Sequence, residues 1–320
     1  MVAYIYINNH AHAFSNFLIV FQPSRVECYN SPMLLDDVKA LTLQTLFLDD
    51  FLSEILVLKG GTALYLHESI SRVSRDIDFS LFELPAEMSK EELKSRFEKA
   101  LSSHFNEKGH RVFHFNFDER GEDDHGGYEI QFKFVPNSIY EELRGIKNGH
   151  FQMHTAFERE TGLKSVKVQF SKTEYCEGYS EKDIEDGVLI KVYTPEMILV
   201  EKLRAICQQM DEYEFRRYKT GRARDFYDIH VLNEKYGLTE VFRRNSGLLV
   251  SLVDNIFGVK AVDFSLLQNL EKYREFHAAD YASLCDTVFS KEDLSDFNHY
   301  FDYVGEVVSA ISAVYYEASL

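Results

Sequence analysis

Two aspartates separated by a single residue, Asp76 and Asp78, are the first candidates for chemistry. Ile77 and Phe79 alternate with them, which indicates a β-strand that presents both carboxylates on one face. Neighbouring carboxylates repel each other unless a cation lies between them, and hard oxygen ligands at this spacing suit Mg²⁺. The pair therefore predicts a Mg²⁺ site, although an isolated D-x-D is more often two solvated acids on a strand.

A glycine turn, Gly60-Gly61-Thr62, follows a short apolar run, Ile55 to Leu58, that predicts a buried strand, and it precedes a predicted helix. Backbone N–H groups at a helix start bind anions, and glycine permits close approach. The Thr62 hydroxyl would add a donor to a phosphate oxygen. This phosphate cradle, with two carboxylates beginning fourteen residues after Thr62, predicts a site for a nucleoside triphosphate and Mg²⁺.

Other motifs of this kind are missing from the sequence. It contains no G-x-x-x-x-G-K-[ST], no G-x-G-x-x-G, no H-E-x-x-H and no G-x-S-x-G. His150 and His154 would share a helix face, but the sequence offers no evident third ligand, which favours two surface histidines over a metal site.

A second cluster lies further along the chain. Lys202 stands in an otherwise apolar helical pattern, where an ammonium costs free energy unless it reaches a partner or solvent. Asp225 and Asp228 share one face of a later predicted helix.

The densest basic segment lies between these residues, with five cations in nine positions. The whole chain has 35 Lys and Arg against 52 Asp and Glu, a formal charge of −17, so any contact with nucleic acid must depend on such a local patch. The predicted RNA-binding residues are Arg216, Arg217, Lys219, Arg222 and Arg224.

The elements that would position these residues change character near residue 193. Before it, strand-like runs surround a helix that begins at the capping box Ser89-Lys90-Glu91-Glu92. From Thr194-Pro195-Glu196, a cap followed by proline at the first helical position, the patterns are helical. We predict an α/β domain over 1–193 and an all-helical domain over 194–320.

The composition fits a globular protein, with 45% apolar residues in 320. The longest apolar run has five residues, Phe17 to Phe21, so no membrane span is predicted. No Lys or Arg precedes Arg25, which argues against a secretory signal. Four scattered cysteines without C-x-x-C favour the reducing cytoplasm.

Four colinear motifs between about Leu58 and Ile229 carry a family resemblance. They are Lys59-Gly60-Gly61-Thr62-Ala63-Leu64, Arg72-x-Ser74-x-Asp76-Ile77-Asp78-Phe79, Glu201-Lys202-Leu203-x-Ala205 and Arg224-Asp225-x-x-Asp228. Together they resemble the AbiEii-type nucleotidyltransferase toxins of type IV toxin–antitoxin and abortive-infection (phage defence) systems.

The resemblance implies a polymerase-β-like nucleotidyltransferase domain followed by a helical domain, in a mixed α/β fold. It implies Mg²⁺-dependent transfer of a nucleotide from GTP or a pyrimidine NTP to an RNA acceptor, which in characterised relatives is the 3′ end of tRNA. It also implies GTP or other nucleotide binding, and an antitoxin that acts without a stable complex.

The resemblance also implies roles for individual residues. Asp76 and Asp78 would hold metal, Lys202 would neutralise phosphate charge, and Asp225 would complete the catalytic site and orient the attacking hydroxyl or accept its proton. The residues implied to bind the nucleotide are Lys59, Gly60, Gly61, Thr62, Arg72 and Ser74.

One departure concerns the third carboxylate that such enzymes usually carry on a later strand. The matching strand is Lys167-Val168-Gln169-Phe170, where Gln169 offers a neutral oxygen and binds metal more weakly. Glu129 or Asp225 could substitute.

Two other functions stay open at this point. Transfer of the nucleotide to a protein or to a small cationic molecule such as an aminoglycoside would suit an acidic cleft, although the basic segment argues against it. A module that senses GTP without turnover is favoured by Gln169 and opposed by the four intact motifs.

Overall fold

The computed structural model describes residues 35–67, 72–74, 76–121, 126–288 and 294–319. The expectations for the first 25 residues and for Cys28 concern positions outside these ranges. None of the helices in the described ranges is long and apolar enough to cross a membrane.

Seven strands in the described ranges form one mixed sheet. In chain order they are β1 (Leu56–Lys59), β2 (Ile77–Leu81), β3 (His110–Arg120), β4 (Gly127–Pro136), β5 (Val166–Ser171), β6 (Ser180–Ile184) and β7 (Val188–Val192). Their spatial order is β3-β4-β5-β2-β1-β7-β6. The β2/β5 and β1/β7 pairs are parallel and the other pairs are antiparallel.

Helices cover the sheet and make up the C-terminal part. Those before β7 are α1 (Leu35–Phe47), α2 (Asp50–Ile55), α3 (Gly60–Leu66), α4 (Lys90–Glu107), α5 (Asn137–Leu143) and α6 (Gly149–Thr161). Those after it are α7 (Pro195–Cys207), α8 (Ala223–Tyr236), α9 (Leu238–Arg244), α10 (Ser246–Gly258), α11 (Arg274–Ala278), α12 (Tyr281–Cys285) and α13 (Phe297–Ala318). Two 3₁₀ helices span Glu185–Gly187 and Phe264–Tyr273.

The helix starts predicted from local sequence are confirmed at two caps. Ser89 and Glu92 form the reciprocal capping box of α4. The Thr194 side chain accepts a hydrogen bond from the Met197 N–H at 3.3 Å, with Pro195 in the first helical turn of α7. Both caps satisfy backbone donors that the helix itself leaves unpaired.

Aromatic packing holds the centre of the sheet in register. Phe79 of β2 stacks on Phe170 of β5 at 5.6 Å between ring centroids, and Phe97 of α4 covers Phe170 at 4.7 Å. Since Phe79 and Phe170 are paired, their neighbours Asp78 and Gln169 are paired as well. The register that positions the candidate site therefore depends on buried rings one residue away.

The mixed α/β class with a helical C-terminal part is confirmed. The last strand ends at Val192 and α7 begins at Pro195, where the sequence changes character. The sheet and the later helices share one hydrophobic core within a single compact unit. Division into separate domains at residue 193 stays a prediction.

Candidate active site

Asp78 lies in the middle of the sheet, and Asp76 lies just before β2, outside the strand that was predicted to carry both acids. Asp78 in β2 is paired with Lys59 at the end of β1 on one side and with Gln169 of β5 on the other. Gln169 therefore occupies the strand position directly beside Asp78, as the resemblance implies for a third carboxylate.

Glu129 is less suited to replace that carboxylate. It lies across from Gln169 in β4, two strands away from Asp78, or roughly 10 Å at the usual strand spacing. Its carboxylate accepts a hydrogen bond from Gln131 at 2.5 Å and lies 3.5 Å from Arg120, which also donates to Gln169. Glu129 therefore has partners within the protein.

Two adjoining cavities meet at these residues. The glycine-side cavity, of about 490 Å³, is lined by Gly61, Arg72, Ser74 and Asp76, among others. The strand-side cavity, of about 550 Å³, includes Arg120, Gln169, Gln208 and Arg216. Residues that line both cavities are Gly60, Asp78, Lys202, Arg222 and Asp225. The structure thus brings Asp76, Asp78, Lys202 and Asp225 to the wall of one cavity.

A buried ion network lies behind this wall. The Lys202 ammonium donates to Asp225 at 2.9 Å and to Asp228 at 2.6 Å. Arg72 binds Asp228 through two parallel hydrogen bonds of 2.7 and 2.6 Å, and Arg222 donates to Asp225 at 2.5 Å. Paired charges of this kind satisfy one another where single buried charges would be costly.

The network fixes the protonation states of its members. Burial alone would raise the pKa of Asp225, but Arg222 and Lys202 outweigh it and hold that pKa well below its ordinary range. The pKa of Asp228 is lowered in the same way: burial alone would raise it, but Arg72 and Lys202 outweigh that effect. A carboxylate this acidic is a poor proton acceptor, so the structure does not support Asp225 as a base.

Lys59 belongs to a second buried network. Its ammonium lies 2.9 Å from Glu201 and 3.2 Å from Glu174, and Arg204 binds Glu174 at 2.7 Å. Burial lowers the pKa of Lys59, but the two glutamates outweigh that effect and raise it overall. Lys59 therefore lines the strand-side cavity, but its ammonium is already paired with two carboxylates of the protein.

The glycine turn fits tightly against the acid strand. Gly60 has a positive φ of 67°, and a Cβ there would lie 2.6 Å from Asp78 Oδ2. A Cβ on Gly61 would lie 2.6 Å from Ser74 Oγ. The Thr62 hydroxyl does not face the cavity: it is buried and donates to the Asp76 carbonyl at 2.9 Å. The Thr62 hydroxyl therefore holds Asp76 in place instead of making the predicted contact with phosphate.

Asp78 differs from the paired acids. Burial raises its pKa to about 6, Asp76 and Glu201 add to the effect, and Lys59 and Lys202 oppose it. Without a cation the charged form of Asp78 is therefore disfavoured. The carboxylates of Asp76 and Asp78 form a pair of oxygen donors that fits a divalent cation such as Mg²⁺, whereas the neighbouring Gln169 oxygen already accepts a hydrogen bond from Arg120.

The five basic residues have different environments. Arg216 and Arg224 are exposed and line the strand-side and glycine-side cavities respectively. Arg217 is exposed, with its guanidinium 5.4 Å from the Tyr218 ring centroid. Arg222 is bound to Asp225. The Lys219 ammonium donates to the carbonyls of Gln208, Met210 and Tyr213, so its predicted role in RNA binding is replaced by one in holding this loop.

Several residues of the site were missed by the sequence reasoning. Asp228 and Glu201 stand in the quoted motifs but received no role. Arg204 lies in the same predicted apolar helix as Lys202, which is a signal that could have been read. The sequence around Glu174 and Arg120 contains no such signal, because their partners are distant in the sequence.

Replacing Gly60 with alanine should damage the site because the new Cβ displaces the Asp78 carboxylate and strains a positive φ. We expect Gly60→Ala to weaken binding of Mg²⁺·NTP at least about tenfold and to destabilise the protein by more than about 1 kcal/mol. The matched control is Gly305→Ala in α13, where a Cβ meets no atom within 4 Å. Equal binding by both variants and the parent would contradict the close fit.

Replacing Asp78 with asparagine should stabilise the metal-free protein. The pKa of Asp78 in the folded state, about 6, lies above its ordinary value of 3.8, so the folded state loses stability as the pH rises between these values. We expect Asp78→Asn to gain up to about 3 kcal/mol above pH 6 and nothing below about pH 4. Denaturant unfolding in EDTA measures this, with the exposed Glu98→Gln as control. A loss of stability at pH 8 would show that the charged carboxylate is favoured there.

Similarity to solved structures is weak. A candidate nucleotidyltransferase from Helicobacter pylori is 18% identical with a TM-score of 0.49, and the match covers 89% of this chain and 96% of that one. The protein JHP933 from Helicobacter pylori is 18% identical with a TM-score of 0.48, and the match covers 89% of this chain and 93% of that one. An antigenic nucleotidyltransferase-like protein from Paracoccidioides brasiliensis is 13% identical with a TM-score of 0.35, and the match covers 68% of this chain and 94% of that one. TM-scores this low do not by themselves support a conclusion about the function of this chain.

Among curated proteins, none matches the chain. A family model does match, over residues 42–303, which is more than half of the chain and includes the acid pair, the glycine turn and both ion networks. Its description is nucleotidyl transferase AbiEii toxin, type IV toxin–antitoxin system. The chain therefore belongs to the AbiEii family of nucleotidyl transferase toxins, which makes it a nucleotidyltransferase and implies an antitoxin as its partner.

Proposed function

We propose that the chain transfers a nucleotide from GTP or a pyrimidine NTP to an RNA acceptor, with the 3′ end of tRNA as the first candidate, in a Mg²⁺-dependent reaction. The observation that carries this proposal is the pair of adjoining cavities that share Asp78 in their walls. One cavity suits the NTP and the other the acceptor, so that the two substrates meet at the acid pair.

Asp76 and Asp78 would hold the metal, with the Gln169 oxygen as a weaker neighbour. Mg²⁺ bound there would neutralise charge on the reacting phosphate and make the attacking hydroxyl easier to deprotonate. The raised pKa of Asp78 is consistent with this assignment, because a bound cation would stabilise the charged carboxylate that burial disfavours.

The glycine-side cavity suits the triphosphate. Three of the cations in its wall, Arg72, Lys202 and Arg222, are bound to Asp225 and Asp228, which leaves one positive charge in this network. Asp280 and Asp286 also line the cavity, so the positive charge belongs to this cluster and not to the whole wall. The Ser74 hydroxyl and the exposed Arg224 line the same cavity and can donate to phosphate oxygens. Lys202 thus acts on the triphosphate as part of a rigid positive cluster, which needs no rearrangement when the charge develops.

The strand-side cavity suits the acceptor. Arg120 and Arg216 line it, and the loop that carries Arg216 also exposes Phe215 by 72% and Tyr218 by 74%. Arginine and exposed aromatic side chains together are typical of single-stranded RNA contacts, since guanidinium groups bind phosphates and rings stack on bases. The loop therefore favours an RNA acceptor over a small cationic molecule.

We propose the cytoplasm as the compartment of this reaction and phage defence as its setting, and membership of the toxin family supports both. We propose GTP or another nucleotide as the ligand of the free enzyme and an antitoxin that acts without a stable complex.

Gln169 favours one second candidate, a protein that binds a nucleotide with little turnover. A neutral oxygen beside Asp78 binds a cation less tightly than a carboxylate does. Measured transfer separates the two candidates.

The direct test is incubation with each α-labelled NTP, Mg²⁺ and total tRNA. We expect label in the tRNA fraction with one NTP, and at least a hundredfold less with Asp78→Asn, a loss of about 2.7 kcal/mol in transition-state stabilisation. Label in protein or in a small molecule would redirect the acceptor assignment. Binding of NTP without transfer to any fraction would favour the second candidate.

RNA binding should depend on Arg216 and Arg217. Each phosphate contact releases a counterion, so we expect the Arg216→Ala, Arg217→Ala double variant to reduce the slope of log Kd against log salt by about 1 to 1.5 and to raise KM for RNA, while NTP binding stays unchanged. The matched control is Arg243→Ala, Arg244→Ala on α9, a pair whose partner is Glu240. An unchanged slope would place the acceptor elsewhere.

A further inference from the structure

Three histidines lie together outside both active-site cavities. His114 belongs to β3, and His150 and His154 belong to α6. One ring nitrogen from each lies within 4.8 Å of those of the other two. None of the three lines either cavity, so the cluster is separate from the site described above.

The helix supplies two of the imidazoles. His150 and His154 are four residues apart on one face of α6, with ring centroids 4.5 Å apart. The i, i+4 spacing on a helix presents two imidazoles to one ion, as the sequence analysis noted. What the sequence did not offer was a third ligand.

A β-bulge supplies the third. The register of β3 against β4 shifts between Phe113 and Asn116, and His114 within it has a positive φ of 54°. In a regular strand Phe113 and His114 would point to opposite faces. Here both rings contact His154, at 5.3 and 5.0 Å between centroids, because the bulge turns His114 to the side of Phe113.

The left-handed conformation of His114 is part of the bulge, and histidine adopts it more often than most residues with a Cβ. A left-handed backbone is unfavourable for a residue with a Cβ, and such outliers concentrate at functional positions. Glycine or asparagine would occupy this position with less strain. The strained residue is instead an imidazole directed at two others.

We propose that His114, His150 and His154 bind one divalent first-row transition-metal ion, with Zn²⁺ as the ion of choice. Imidazole nitrogens bind Zn²⁺ at about 2.0–2.1 Å in tetrahedral geometry, which places them about 3.3 Å apart. His114 and His150 are exposed and His154 is half-buried, so small ring rotations close the remaining distance. Three protein ligands leave the fourth position to water.

This site and the acid pair would select different ions. Imidazoles suit Zn²⁺ and its neighbours in the first row, whereas carboxylate oxygens suit Mg²⁺. Since β3 is an edge strand, an ion held by His114 and α6 would join the edge of the sheet to the helix that covers β4. Binding would therefore stabilise the folded protein without any need for nucleotide.

The test is titration of the full-length protein with Zn²⁺, and separately with Co²⁺, whose visible absorption reports tetrahedral coordination. We expect His150→Gln and His154→Gln each to weaken Zn²⁺ binding at least about tenfold and to remove the Co²⁺ band. His114→Asn should do the same, with asparagine chosen because it tolerates a positive φ. Zn²⁺ should also raise the Tm of the parent protein more than that of the variants.

The matched control is His299→Gln in α13, an exposed histidine with His230 as its neighbour. The other histidines of the chain are unchanged in the three cluster variants, so the differences between these variants and the parent protein measure this cluster. If His114→Asn alters the fold, as shown by the Tm without metal, the two α6 variants still decide the question. Unchanged Zn²⁺ affinity and an unchanged Co²⁺ band in both α6 variants would overturn the proposal.

Discussion

The arrangement of the active site depends on the burial of one carboxylate, Asp228. Its side chain is fully buried, and it is tolerated there because Arg72 and Lys202 bind it from two other segments of the chain. Breaking such a pair by removing one partner typically costs about 3–5 kcal/mol, because the remaining charge stays buried. Asp228 therefore holds the segment before β2 against α7 and α8, and so places the acid pair opposite the helices.

This constraint separates the charges that build the site from those that can act on a ligand. Lys59 and Lys219 are bound by carboxylates or carbonyls of the protein itself. Asp76 and Arg216, by contrast, line the cavities while exposed. In the proposed reaction the cluster of Arg72, Lys202 and Arg222, which Asp225 and Asp228 hold in place, would stabilise a reacting phosphate without the rearrangement that water would need.

Local signals were sufficient to predict much of the fold and the centre of the site. The Ser89 and Thr194 caps and the glycine turn are each encoded within a few residues, and each lies where the sequence predicts. The D-x-D strand lies there too, except that it begins at Ile77, so that Asp76 precedes it. β6 was missed because none of its residues is fully buried, so it lacks an apolar face. The roles of Asp228 and His114 were missed for two other reasons. Arg72, one of the two partners of Asp228, lies 156 residues away, and the bulge at His114 breaks the strand alternation on which the prediction relied.

The central claim is that the acid pair and the glycine-side cavity hold a metal-bound triphosphate. It is tested most directly by a crystal structure of the protein with Mg²⁺ and an NTP whose α–β bridging oxygen is replaced by a methylene group. We expect the ion to contact both Asp76 and Asp78, and the β- and γ-phosphates to lie beside Ser74 and Arg224. A nucleotide whose ion contacts neither aspartate, or whose triphosphate lies in the strand-side cavity, would contradict the account.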